Sequence, residues 1–475
     1  MYPTLGLFIN GKWLDSAGRQ TEPVTNPSTG EKLGLLPHAT ENDLEHALEA
    51  ARQGFASWRK TSAYERARVL RMAAALIRER RDRIAKVLTL EQGKILAEAK
   101  GEVDAAADIV EWSAEEARRI YGRVIPGRTE EITQLMVQEP VGPVAAFTPW
   151  NFPASTPARK ISAALAAGCS IVIKASEETP GTCIELIHAF VDAGVPPGVL
   201  NLVFGSPAAI SQKLIASPVI RKISFTGSIE VGKVLTKLAA NGLKRVTMEL
   251  GGHGAAVVFA DADVKMAACT LALGRFRNAG QVCIAPSRFF VHESVIEAFT
   301  DEFVKVARET VVGDGLDVAS TMGPMASLRR VEAMDAILLD AQQKGANVIC
   351  GGKRMQRAGH YYEPTVVVNV PPDTILMQDE TFGPIAPIVS FNDFDDVIER
   401  ANALPYGLSA YVFSSRIDTA MRAARALEAG LVAVNSLSLA LTETPFGGVK
   451  ESGLGHEGGI EGVEAYTVKK FISLL

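Results

Sequence analysis

Residues 170–205, SIVIKASEETPGTCIELIHAFVDAGVPPGVLNLVFG, hold the pattern that decides the fold. Two short apolar runs, SIVIKA at 170–175 and VLNLVF at 199–204, enclose the helix-like segment PGTCIELIHAFVDAG at 180–194. The unit repeats outward. VGPVAAF at 141–147 lies upstream, RKISFTG at 221–227 and RVTMEL at 245–250 lie downstream, and IEVGKVLTKLAANG at 229–242 separates the last two. Alternation of strand and helix predicts a parallel, doubly wound sheet. Continuously apolar strands suit a sheet covered by helices on both faces. Such sheets take ligands beyond the carboxyl ends of their strands, so a nucleotide-binding domain is expected.

Working outward, Leu44, Leu48, Ala51, Phe55 and Trp58 recur at spacings of four and three, one face of an amphipathic helix. Residues 63–120 continue as helix-rich sequence. From about residue 253 a second α/β region begins, with helices such as VEAMDAILLDAQQKGA at 331–346 and strands such as AYVFSS at 410–415.

At 475 residues and 47% hydrophobic content the chain can bury a large core in two or three domains. Its net charge of −5 gives no broad attraction to nucleic acid or to an anionic membrane, and neither is expected as a partner. The opening MYPTLGLFINGKW lacks a basic segment followed by a long apolar one, which reads as cytoplasmic. Five scattered cysteines without a CxxC pair suggest reduced thiols. The seven histidines include no HExxH or HxxxH pair, so no metal site is expected.

The junction FTGSIEVGKV at 225–234 mimics the start of a phosphate-binding P-loop through Gly227, Gly232 and Lys233. Its next position is Val234, where that motif needs Ser or Thr for magnesium, so phosphoryl transfer is the less favoured class. The strict dinucleotide fingerprint GxGxxG is absent as well. Gly227, Ser228 and the following helix start can still offer backbone N–H groups to a pyrophosphate.

Six fragments change the weighing: TPWNFP (148–153), KASEETP (174–180), MELGG (248–252), NAGQVC (278–283), ETFGP (380–384) and PFGGVKESGLG (445–455). In sequence, order and rough spacing they resemble the aldehyde dehydrogenase superfamily, from FINGKW at 8–13 to the final apolar run. FRNAGQVC (276–283) and TPARK (156–160) are most similar to succinate and 2-oxoglutarate semialdehyde dehydrogenases. The resemblance implies an α/β protein with a Rossmann-like NAD-binding domain from residues 1–120 and 141–252. A catalytic α/β domain over 253–450 and a small β oligomerisation arm from 121–140 and 451–475 would complete it. The terminal run YTVKKFISLL is expected to pair with another subunit, giving a homodimer or homotetramer.

Aldehyde oxidation explains why these residue types are needed. The carbonyl carbon must become tetrahedral before it can lose hydride, and a cysteine thiolate is a suitable nucleophile that leaves a hydrolysable thioester. By resemblance that residue is Cys283. The Asn151 amide and the Cys283 backbone N–H would hold the oxyanion, and Glu249 would be the base for hydrolysis, which favours a non-acylating reaction. Trp150, Lys174, Glu177, Gly227, Ser228, Glu380 and Phe382 match cofactor-binding positions. A carboxylate at Glu177 can accept both adenine-ribose hydroxyls but repels a 2′-phosphate, so NAD is preferred, with NADP less favoured.

Substrate charge is read from two arginines. Arg159 and Arg277 match positions lining the substrate tunnel of succinate semialdehyde dehydrogenases, beside Phe446. Paired guanidinium donors imply an anionic, carboxylated semialdehyde; structural ion pairing is the alternative. A serine that helps hold the carboxylate in those enzymes aligns with Ala440, which leaves the pocket roomier and makes 2-oxoglutarate semialdehyde or another carboxylated aldehyde as plausible as succinate semialdehyde; a neutral or aromatic aldehyde is the alternative substrate.

Overall fold

The structure, a computed structural model, describes residues 2–475. Its first helix spans Glu41–Trp58 and is started by a capping box in which the Thr40 side chain accepts from the Asp43 N–H while the Asp43 carboxylate reaches back. The face predicted from spacing is buried at Leu44, Leu48, Ala51 and Trp58. Helices Ala63–Glu79, Arg81–Gln92 and Leu96–Ala117 follow, with fully buried alanines at 67, 73, 74, 99, 106 and 107 that let helices approach closely.

The repeated strand–helix units build an eight-stranded sheet. Its spatial order is Gly453–Leu454, Arg245–Glu249, Lys222–Thr226, Val144–Phe147, Ile171–Lys174, Leu200–Val203, Leu7–Ile9, Lys12–Leu14. The five strands from Arg245–Glu249 to Leu200–Val203 run parallel. From Val144–Phe147 the chain winds outward through two strands, then returns to Lys222–Thr226 on the other side. That reversal opens a crevice at the carboxyl ends. One core lies on each face: Ile84, Val103, Ile161 and Leu186 on one, Leu44, Leu48, Ile210 and Leu235 on the other.

A second, seven-stranded sheet has the order Asn347–Cys350, Thr365–Val368, Ile385–Phe391, Pro286–His292, Gly254–Val258, Ser409–Phe413, Leu431–Val434. All neighbours are parallel except the Asn347–Cys350 edge. Its separate core includes Val257, Phe289, Phe303 and Val412.

The terminal strand forms the edge of a small separate sheet. Thr467–Leu474 pairs over eight residues with Thr133–Pro140 of its own chain, and Arg123–Ile125 completes a three-stranded antiparallel sheet. Tyr466, buried in the first core, accepts from the Val141 N–H at 2.9 Å and so starts the strand beside its partner. Residues 451–475 therefore divide. Gly453–Leu454 joins the eight-stranded sheet antiparallel to Arg245–Glu249, and helix Gly459–Glu464 packs Val463 into the first core. Among the described residues no helix is long and apolar enough to cross a membrane, and no acidic, histidine and cysteine cluster could hold a metal.

Candidate active site

The two parallel sheets meet end to start. Thr148–Asn151, Gly227–Ser228 and Glu249 follow or end strands of the first sheet, whereas Cys283 and the pair Glu380 and Phe382 just precede strands Pro286–His292 and Ile385–Phe391 of the second. The chain crosses between sheets through Leu250–His253. A cavity of about 720 Å³ at this junction is lined by Trp150, Asn151, Gly227, Ser228, Glu249, Cys283, Glu380 and Phe382. Arg159, Arg277 and Phe446 line it too. Lys174 and Glu177 lie outside it, after the neighbouring strand Ile171–Lys174.

Cys283 is aimed by an unusual turn. Asn278, Ala279 and Gly280 are all left-handed, with φ of 49°, 53° and 72°. Asparagine tolerates that region better than alanine does, and here neighbours hold it. Gln92 Nε2 donates to Asn278 Oδ1 at 2.9 Å, and the Asn278 N–H donates to the Glu98 carboxylate. A Cβ at Gly280 would stand 2.2 Å from the Gly383 carbonyl, so only glycine fits. Burial, reinforced by the carboxyls of Glu380 and Glu249, pushes the Cys283 thiol up to about 12. Asn151 is buried and its amide donates to the Gln281 carbonyl at 3.1 Å, which ties it to the cysteine turn.

Glu249 ends its strand 3% exposed, and among the described residues neither carboxyl oxygen has a hydrogen-bond partner. Burial, and next the charge of Glu457, raises its pKa well above the usual value, against Lys160 and Arg159. Lys160 Nζ pairs with Glu457 Oε1 at 2.5 Å and donates to Ser224 Oγ at 3.1 Å. A short antiparallel bridge fixes this wall: the Phe446 N–H donates to the Glu457 carbonyl, and the Glu457 N–H to the Phe446 carbonyl.

The positions expected to hold a cofactor present anchored donors and acceptors along the crevice. Ser228 caps helix Ile229–Ala240, leaving first-turn N–H groups at the crevice. The Glu177 carboxylate accepts from Lys174 Nζ at 2.5 Å and from the Gly205 N–H at 3.1 Å, two fixed donors that hold an acceptor at the strand ends. Glu380 accepts from the Gly252 N–H at 3.0 Å, and burial pushes its carboxyl up to about 7. It stands so close to Gly251 that a Cβ there would be 2.5 Å from it. Phe382 meets Trp150 edge to face at 5.6 Å, while Arg330 donates to the Thr381 and Phe382 carbonyls. The P-loop resemblance dissolves: Gly232 lies inside a helix against Leu250, and Lys233 pairs with Glu451 at the surface.

Among the described residues neither Arg159 nor Arg277 forms an ion pair. The Arg159 guanidinium stands 5.2 Å over the Phe446 ring, with a buried Nη1 lacking any partner among the described residues. Arg277 stands 5.5 Å over the Phe152 ring and is exposed. Charged neighbours are nonetheless close enough to feel both: the Arg277 charge acts on the Glu98 carboxyl and the Arg159 charge on Glu249.

Four residues of the site escaped the sequence reading. Lys160 follows Arg159 in TPARK, yet adjacency on a helix turns it to another face, and only the fold brings Glu457 to it across 297 positions. Lys94 and Glu102, a fully buried pair at 2.6 Å, carry no local signal, since isolated charges usually belong to the surface.

The Aldehyde dehydrogenase family model matches residues 13–472. A 4-(hydroxymethyl)benzenesulfonate dehydrogenase of Comamonas testosteroni is 44% identical over 99% of this chain and 98% of its own. An NADP-linked succinate-semialdehyde dehydrogenase of Escherichia coli is 42% identical over 98% of this chain and 97% of its own. The crystal structure of an E. coli NADP-dependent enzyme, 41% identical, superposes with a TM-score of 0.98 over 100% of this chain and 98% of that one. With its two-sheet architecture and a single family model matching nearly its whole length, the chain belongs to the aldehyde dehydrogenase family.

Proposed function

We propose that this protein is an NAD-preferring, non-acylating dehydrogenase for a small aldehyde bearing an acidic group at its far end. The observation that carries the reading is the pair Arg159 and Arg277, which line the cavity shared with Cys283 and form no ion pair among the described residues. The Comamonas testosteroni and Escherichia coli relatives are named for a sulfonate and for the semialdehyde of a dicarboxylic acid.

In this mechanism the guanidinium groups hold the far acid and bring the aldehyde carbon to Cys283. The Cys283 thiol gives up its proton to solvent and adds as the thiolate, forming a C–S bond while the carbonyl π bond opens, and the resulting oxyanion is met by the Asn151 amide and the Cys283 N–H. Gly227 and Ser228 would hold the cofactor's pyrophosphate, Lys174 and Glu177 its adenine ribose, and Glu380 with Phe382 and Trp150 its nicotinamide end. When bound, the nicotinamide supplies the hydride acceptor. Glu249 then takes a proton from water, whose oxygen attacks the thioester carbon, and the Cys283 thiolate leaves. Its raised pKa suits a base that must hold that proton.

NAD preference rests on the Glu177 carboxylate, although one relative is NADP-linked. A larger, aromatic acid is a second reading, favoured by Gly101, Ala105 and Ala440, which line the cavity with little side-chain volume. Assembly as a dimer or tetramer is supported by exposed Val124 and Phe471 on the three-stranded sheet and by exposed Tyr121 just before it. The test is kcat/KM with each cofactor over succinate semialdehyde, 4-formylbenzenesulfonate, butanal and benzaldehyde. Preference for both neutral aldehydes over their acidic counterparts would refute the proposal.

A further inference from the structure

Behind the cavity wall a buried lysine grips the loop that carries Asn151. Lys94 is 1% exposed and follows the left-handed Gly93, which ends helix Arg81–Gln92. Its ammonium donates to Glu102 Oε2 at 2.6 Å and to the Asn151 backbone carbonyl at 2.8 Å, and stands 4.1 Å over the Phe152 ring. Asn278 Nδ2, from the cysteine turn, donates to the same carbonyl at 3.3 Å and to the Gln281 carbonyl at 3.2 Å. The Asn151 amide donates to that Gln281 carbonyl as well. Two loops are thus pinned through two shared acceptors. Glu102 extends the grip, because its other oxygen accepts from the Ala154 and Ser155 N–H groups at the start of the helix carrying Arg159.

Burying an ammonium is costly, and apolar residues of similar volume would serve stability as well or better. Lys94 does not line the cavity and cannot meet substrate. What it fixes is direction. A side-chain amide has two N–H donors; with its backbone held by Lys94 and one donor held by Gln281, the second is left with a defined aim.

We propose that Lys94 is a positioning residue for aldehyde oxidation, acting through the Asn151 carbonyl to aim the Asn151 amide at the aldehyde oxygen. This rests on the reading of Asn151 as the oxyanion donor. Stopped-flow NADH formation at saturating substrates is to be measured for wild type, Asn151→Ala, Lys94→Met and their combination, with melting temperature recorded separately. Lys94→Met should slow the first turnover about 100-fold, the scale of a lost or misaimed oxyanion donor. KM for NAD should stay within about threefold, and adding Lys94→Met to Asn151→Ala should cost less than about twofold more.

Because Lys94→Met strands a buried carboxylate, Lys94→Met/Glu102→Gln serves as the charge-balanced variant and should be equally slow. A folded Lys94 variant with the wild-type rate, or losses that multiply in the combination with Asn151→Ala, would overturn the assignment. Asn151→Ala at the wild-type rate would instead remove the oxyanion reading on which it stands.

Discussion

Arg159→Leu should act on anionic aldehydes and spare neutral ones. The Arg159 guanidinium is half-buried, packs over Phe446 and keeps one nitrogen without a partner among the described residues, so a substrate acid there gains a charge-assisted hydrogen bond sheltered from water. Such a bond is worth about 2–3 kcal/mol, or roughly 30- to 150-fold in kcat/KM. Arg277 is exposed, and water screens its charge, so Arg277→Leu should cost nearer 1 kcal/mol, about fivefold. The assay is steady-state kcat/KM with succinate semialdehyde and with butanal, which share a four-carbon chain and differ in the far carboxylate. Butanal should change by less than about twofold in either variant, since no acid is there to be held. Equal losses for both aldehydes would refute the reasoning. A larger loss at Arg277 than at Arg159 would show that burial is not what sets the ranking.

Glu249→Gln should keep the first turnover and slow the rest, so that rapid mixing shows an NADH burst followed by slow release; full steady-state activity would remove Glu249 from hydrolysis. Glu177→Ser should raise the ratio of NADP to NAD efficiency by about tenfold or more, the scale of removing one partly screened repulsion, and an unchanged ratio would place cofactor choice elsewhere. With the Cys283 thiol pushed up to about 12, alkylation by iodoacetamide in the free protein should climb about tenfold per pH unit from pH 7 to 10, because only the thiolate reacts. A plateau near pH 9, as for an unperturbed thiol, would contradict that environment.

Periodicity was enough for the first sheet because its strands are buried on both faces and its helices are separate, so each element carries its own pattern along the chain. The candidate catalytic positions Asn151, Glu249 and Cys283 were legible through the resemblance of their motifs, which lie in or beside short Gly- and Pro-marked turns at strand ends. What sequence could not give were pairings made only by the fold. Lys160 reaches Glu457, and Lys94 reaches Asn151, through backbone that is far apart in sequence and side chains with no periodic signature. The terminal strand is the opposite case. An apolar run at a chain end signals pairing but not the identity of the partner, and the buried Tyr466 that sets one edge beside Thr133–Pro140 is an ordinary aromatic until the core is assembled.

Arg159 joins substrate charge to the chemistry of the base. Its positive charge, with that of Lys160, lowers the proton affinity of Glu249, while burial and Glu457 raise it. An acid seated on Arg159 offsets one of the two lowering charges. In the proposed mechanism Glu249 therefore becomes a better proton acceptor when an anionic substrate is present, the moment at which its thioester needs water to be activated. A neutral aldehyde leaves Arg159 uncompensated, and Glu249 correspondingly weaker as a base. In that mechanism an anionic substrate would gain twice, in kcat/KM from the holding of its far acid and in kcat from faster hydrolysis. Both effects come from placing Arg159 and Lys160 side by side on one helix, the first facing the cavity and the second paired behind it with Glu457.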